Sequence, residues 1–220
     1  APAGPGRGRI FFIGVFHYVC GGRYESIFTS MNQNEEMDAA PMGVKCIGDE
    51  EIAARIFEGS TTLENIKETK VFCVNITDDP ALYAQTLFKT YDKSQLKKDD
   101  DIVFLKDADA YGISLVTSIE EQPLDNDQIS TKGKAFIVKA EVLKIVINRQ
   151  GAKAINRGLY AFMECLVNYT RLDLIDKDAR GKYVDRFLEN ESLIERVGSD
   201  DIKESMSMLR EKMIEKGIEF

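Results

Sequence analysis

Histidine is nearly missing from this chain: His17 is the only one among 220 residues. Ser–His–Asp and Cys–His catalytic sets each need a histidine beside the nucleophile, and His17 lies in an apolar run where it reads as a packed side chain. The four cysteines, Cys20, Cys46, Cys73 and Cys165, stand far apart with no C-x-x-C pair. With no histidine at ligand spacing either, the usual zinc patterns are excluded and no metal is expected. Free thiols buried in apolar segments fit a reducing compartment, so a cytoplasmic location is expected. Basic charge is also short: 29 Lys and Arg against 37 Asp and Glu give a net charge of −8. A general nucleic-acid surface needs the opposite balance, so no nucleic-acid partner is expected. No segment approaches the roughly 18 consecutive apolar residues of a membrane span. The fingerprints G-x-G-x-x-G and G-K-[ST] are missing too, which excludes the Rossmann and Walker phosphate sites.

What remains is an ordinary globular composition, 44% hydrophobic and 30% charged. The stretch APAGPGRGR reads as a flexible or vector-derived lead, followed by ordered apolar chain from Ile10 to Cys20 without a cleavage-site pattern. Strands are expected at Tyr24 to Met31, Met37 to Ile47, Glu51 to Phe57 and Val71 to Thr77. Pro41 inside the second argues for an edge or a bulge. Short helices are expected at Ser60 to Thr69 and Asp79 to Thr90, the latter with Asp79 as cap and Pro80 at its first position. Asp92 to Asp101 reads as a charged loop. Val103 to Glu120 reads as one or two strands broken near Asp107 to Asp109, and Leu124 to Lys134 as a loop. A long strand follows at Ala135 to Asn148, with Phe136, Val138, Ala140 and Val142 on one side.

From Ala152 the apolar period changes to about 3.6, with Ile155, Leu159, Phe162, Met163, Leu166 and Val167 on one helical face. Two more helices are expected at Asp176 to Val197 and Ser199 to Gly217. The last carries a thin stripe of Ile202, Met206, Leu209 and Met213. Strands first and helices last define an α+β chain: an antiparallel barrel of about six strands followed by a C-terminal helical bundle. The expected division is a lead at 1–21, a barrel domain at 22–150 and a helical extension at 151–220.

The most informative turn is Gly59-Ser60-Thr61-Thr62, set between a strand and a helix. It gathers hydroxyls and free backbone N–H groups at a helix start, which suits a phosphate. Arg55 on the incoming strand supplies a positive charge. Thr61-x-x-Glu64 also fits a capping box, so a purely structural reading of the turn stays open. Asn65 follows Thr62 by three residues and shares its helix face, as a surface amide or as a ligand contact. Asn75 lies in an apolar strand, where its amide needs partners from the backbone or from a ligand. The small residues around Pro41 offer a flat backbone edge against a planar ring, or simply a bulged strand. Arg157 opens the first C-terminal helix. Asp107 and Asp109 with Tyr111 read as a solvated turn or, less readily, as a metal pocket.

Thr62 to Ile66 and Glu68 to Ile76, T-L-E-N-I followed by E-T-x-x-F-x-V-N-I, resemble the flavin reductase-like, FMN-binding split-barrel proteins. The run Ala40 to Val44, A-P-M-G-V, resembles the segment those proteins lay against the flavin ring. From about Tyr24 the chain also resembles an archaeal domain-of-unknown-function family, DUF447. The resemblance rests on Y-E-S-I at Tyr24, A-A-P-M-G-V at Ala39, R-x-F-x-G-S-x-T-x-x-N at Arg55, V-N-I-T-D-D at Val74, D-A-D-A at Asp107 and N-R at Asn156. It implies an FMN-binding split β-barrel, usually a homodimer, with no established reaction. It further implies that Ser60, Thr61 and Thr62 hold the FMN phosphate with Arg55 as counter-charge. Ala40, Pro41, Met42 and Gly43 would face the ring, Asn75 would support the pocket, and Asn65 and Arg157 would join the cofactor-binding set. The expected function is FMN binding with a possible flavin-dependent oxidoreductase activity. The alternative is a non-enzymatic flavin or nucleotide binder. The helical tail has no counterpart in the simple flavin reductases, which sets the reductase reading against the binder.

Overall fold

The computed structural model describes residues 22–122, 134–152, 154–172 and 180–220. The lead at 1–21 with His17 and Cys20, nearly all of the loop at Leu124 to Lys134, and the start of the helix expected from Asp176 lie outside the described residues. The chain forms two compact units. One is Glu25–Ile155; the other is residues 22–24 with Asn156–Phe220.

The first unit is built on β1 (Arg23–Met31), β2 (Met37–Cys46), β3 (Glu51–Phe57), β4 (Val71–Ile76), β7 (Ala110–Gln122) and β8 (Ala135–Ile147). They close into a barrel in the order β1-β2-β3-β8-β7-β4. The resolved ladders are antiparallel, with Ile27 opposite Asn75, Val44 opposite Ala54, and Ala54 opposite Val138. Alternation drives the closure: on β3, Ile52, Ala54 and Ile56 are buried while the residues between them are not. β7 and β8 are both 13 residues long and pair with register shifts at Ile113/Ser114 and Val116/Ser118. Such bulges let long strands bend around a barrel. Pro41 lies in the half of β2 ahead of the β2–β3 ladder, where its missing N–H interrupts none of that ladder's bonds.

The charged stretch expected as a loop contains a further strand. β5 (Leu96–Asp99) pairs with β6 (Ile102–Leu105) as a separate hairpin. Only Leu96 of β5 is buried, so no apolar alternation marks the strand. The hairpin and α2 (Pro80–Phe88) cover the outer face of β1, where Ile27, Met31, Leu82, Leu96, Val103 and Leu105 share one core. β1 is therefore buried on both faces, and Phe28 on its other face stacks on Phe72 with centroids 4.7 Å apart. α1 (Thr61–Thr69) joins β3 to β4. α2 begins as expected, with Asp79 Oδ1 accepting the Ala81 N–H at 2.8 Å.

The second unit contains α3 (Arg157–Arg171), α4 (Arg180–Val197) and α5 (Asp200–Glu215). Asn156 caps α3, its side chain accepting the Gly158 N–H at 2.7 Å. The expected stripe on α5 is buried: Ile202, Met206, Leu209 and Met213 pack with Phe187 and Ile194 of α4. Of the apolar face read on α3, Phe162 packs against this core. Ala161 and Cys165 enter the core, while Leu159 and Met163 remain 48% and 46% exposed. A tight approach sets this rotation: a Cβ on Gly158 would stand 2.9 Å from the Gly198 Cα, so the small-residue side of α3 faces its neighbours.

Candidate functional site

The turn into α1 is made by Gly59, whose φ of 79° falls in the left-handed region that favours glycine. Ser60 is the N-cap, and its Oγ accepts the Leu63 N–H at 3.3 Å. This corrects the capping box read at Thr61: Thr61 is the first helical residue, and Glu64 pairs with Lys67 at 3.4 Å instead of reaching back. Helix geometry leaves the N–H groups of Thr61 and Thr62 without intrahelical acceptors, so this end of α1 still presents donors and a positive dipole end. Thr61 is exposed at the turn. Arg55 sits on the outer face of β3, half-buried, with its guanidinium 5.1 Å from the Phe57 ring centroid.

Thr62 points the other way. It is buried, and its hydroxyl donates to Asp38 Oδ2 at 3.1 Å. Asp38 stands at the start of β2, 6% exposed, directly before the small-residue segment. Its Oδ1 accepts from Lys89 Nζ at 2.5 Å, and the same ammonium donates to the Ala39 carbonyl at 2.7 Å. The Ala39 N–H in turn donates to the Tyr91 hydroxyl at 3.3 Å. Burial, then the Asp38 charge, push the Tyr91 phenol above its ordinary range, partly offset by that bond from Ala39. Further along β2, Ser26 Oγ donates to the Met42 carbonyl at 2.9 Å. Between these anchors Ala40, Pro41 and Met42 are half-buried and Gly43 is exposed, with open space where its Cβ would stand. The segment thus presents an accessible edge that a flat ring can approach.

Asn65 is a buried residue whose Nδ2 donates to Ser30 Oγ at 3.1 Å, so it ties α1 to β1. Asn75 is fully buried. Its Nδ2 donates to the Ile27 carbonyl and to Thr29 Oγ1, both at 2.9 Å, and its Oδ1 accepts the Leu105 N–H at 2.8 Å. Both ends of that amide are engaged within the wall formed by β1, β4 and β6. Arg157 opens α3 in the second unit and is exposed. Asp109 is held by Arg149 at 2.9 Å, and no cluster of three metal-ligating side chains occurs among the described residues.

The structure therefore joins two of the expected parts, the α1 turn and the β2 segment, through residues that motif reading did not single out. Asp38, Lys89 and Tyr91 form that link. One signal was available: an acid inside an otherwise apolar strand needs a buried partner.

A closed antiparallel barrel with a helix starting from a hydroxyl turn beside it, and a separate helical unit after it, places the chain in the split-barrel class. The chain belongs to the DUF447 family. A model described as the protein of unknown function (DUF447) N-terminal domain matches residues 24–149, and a second described as protein of unknown function (DUF447) matches residues 156–211. An uncharacterised protein of Methanocaldococcus jannaschii is 26% identical over 184 residues, 82% of this chain and 92% of that protein. A crystal structure of an FMN-bound protein of the same family from Methanosarcina mazei is 26% identical, with a TM-score of 0.50. The match covers 88% of this chain and 96% of that one.

Proposed function

We propose that this protein binds FMN as a resident cofactor. The observation that carries the reading is the FMN-bound relative of the same family, matched over 88% of this chain. The residues present are compatible with the group. The α1 turn offers free N–H groups, the Thr61 hydroxyl and the Ser60 hydroxyl to a phosphate, with Arg55 on the neighbouring strand as counter-charge. The edge from Ala40 to Gly43 leaves room for a ring, while Asn65 and Asn75 keep the flanking strands in place. Bound FMN would supply one- and two-electron chemistry that needs few catalytic side chains from the protein. The proposed activity is accordingly that of a flavin-dependent oxidoreductase.

The second reading is a protein that stores or senses flavin without turnover. It is favoured by the poverty of acid–base groups, with one histidine in the chain. Titration of purified protein with FMN, followed by flavin fluorescence, tests the first claim. Absence of binding at tens of micromolar overturns it. Steady-state oxidation of NADH or NADPH with FMN present separates the two readings, and mass spectrometry of retained ligand identifies the natural flavin.

The proposed assembly is a homodimer. The exposed apolar face of α3, with Leu159, Tyr160 and Met163 at 48%, 64% and 46%, supports it, because such faces mark contact surfaces. The proposed location is the cytoplasm, supported by the free, buried thiols of Cys73 and Cys165.

A further inference from the structure

Asp38 is the point where the two halves of the proposed flavin site meet. One of its carboxylate oxygens accepts the Thr62 hydroxyl of the phosphate turn, and the other takes the Lys89 ammonium. Lys89 also holds the carbonyl of Ala39, the residue directly before the ring-facing edge. Lys89 follows α2 in a left-handed conformation, φ 56°, which turns the chain at the helix end. The pair therefore links α1, α2 and the start of β2.

The chemistry sets a conflict that this linkage resolves. The N-terminus of α1 favours an anion, yet a buried carboxylate already stands beside Thr62. An uncompensated Asp38 would repel a phosphate at the turn and would itself be costly to bury. The Thr62 hydroxyl gives its proton to Asp38, so it offers the outside only lone pairs and cannot also donate to a phosphate. Lys89 supplies the missing positive charge from the opposite side of the carboxylate.

We propose that Asp38 and Lys89 are positioning residues of the flavin site. They fix the phosphate turn relative to the ring-facing edge, and Lys89 neutralises Asp38 so that a phosphate is tolerated at the turn. This inference rests on the FMN reading above. It assigns the preference for a phosphorylated flavin to a pair that does not touch the phosphate.

The test compares FMN and riboflavin affinities in wild type, Lys89→Met, Asp38→Asn and the double variant Asp38→Asn/Lys89→Met. The readout is the ratio of the two dissociation constants, because a general loss of folded protein changes both alike and leaves the ratio in place. Lys89→Met should lower the preference for FMN over riboflavin by about tenfold, since it leaves the buried charge unpaired. The double variant removes that charge and should recover the preference to within about threefold of Asp38→Asn alone. Lys89 is half-exposed, so Lys89→Met should fold, and thermal melts check each variant. A wild type that binds no FMN overturns the flavin reading and this inference with it. A wild type that binds FMN, with Lys89→Met leaving the ratio unchanged or the double variant no better than Lys89→Met, overturns this inference alone.

Discussion

Replacing Asn75 should damage the barrel more than any surface change near the site. Its amide is completely buried and bridges three strands: to Ile27 and Thr29 on β1 at 2.9 Å, and to the Leu105 N–H on β6 at 2.8 Å. Asn75→Leu keeps the branched shape and removes every bond. The Leu105 N–H then loses its acceptor, which costs about 1–3 kcal/mol for a buried orphan. The Ile27 carbonyl and the Thr29 hydroxyl each lose a donor, although Thr29 keeps its own bond to the Val103 carbonyl. The sum is about 3 kcal/mol, a large share of the roughly 5–15 kcal/mol that holds a domain together. Asn75→Asp is the sharper probe. An ionised carboxylate would face the Ile27 carbonyl with no proton to give, whereas the protonated acid can still make one of the amide's two donations. Burial raises the folded-state pKa of such an acid above its unfolded value of about 3.9. Its deficit is thus small below that value and grows as pH rises towards the folded pKa. Urea unfolding followed by circular dichroism at pH 5 and pH 8 measures both variants, with a separate transition fitted to each unit where two occur. An Asn75→Leu loss below about 1 kcal/mol would refute the view that this amide closes the barrel. So would an Asn75→Asp variant matching wild type at both pH values.

Three further outcomes are expected. Ser60→Asp keeps a good N-cap and should leave the melting temperature within a few degrees of wild type, yet weaken FMN at least about tenfold with riboflavin unaffected. Unchanged FMN affinity would place the phosphate elsewhere. Burial pushes the Cys73 thiol up to about 12, so at pH 8 only about one molecule in ten thousand carries its thiolate, and Cys73 should resist alkylation until the protein unfolds. The unfolded thiol titrates near 8.5, so the stability owed to neutral Cys73 is complete below that pH. It falls by about 1.4 kcal/mol per pH unit above it, and Cys73→Ala should flatten that slope in alkaline unfolding curves. Light scattering should give a dimer mass at micromolar concentration, and Leu159→Glu with Met163→Glu should shift it to the monomer. A variant that stays dimeric would remove α3 from the interface.

How much was legible in the sequence depends on how far apart the cooperating residues lie. β3 was readable from end to end because buried Ile52, Ala54 and Ile56 alternate with less buried neighbours between two turns. The α2 cap was readable because Asp79 and Pro80 are adjacent. β5 was not, because a hairpin strand with one buried residue shows no period. α3 was read as an amphipathic helix, but which side packs was not legible, since amphipathic spacing reports that a face is apolar without saying what covers it. There the approach of Gly158 to Gly198 decides, and those residues are distant in the chain.

The candidate site divides in the same way. Gly59 to Thr62 can be read as a candidate phosphate turn because all its donors are consecutive. The residue that governs the charge beside that turn is Asp38, and the residue that governs Asp38 is Lys89, 51 positions away. No local pattern links them: Asp38 reads as one polar residue before two alanines, and Lys89 as the end of a helix. A motif search therefore finds the donors and assigns all three hydroxyls to the ligand, although the proton of Thr62 is already given to Asp38. On the proposed reading the turn owes its selectivity to what the fold places behind the donors, so the anion preference would be a tertiary property even though the turn itself is a local one.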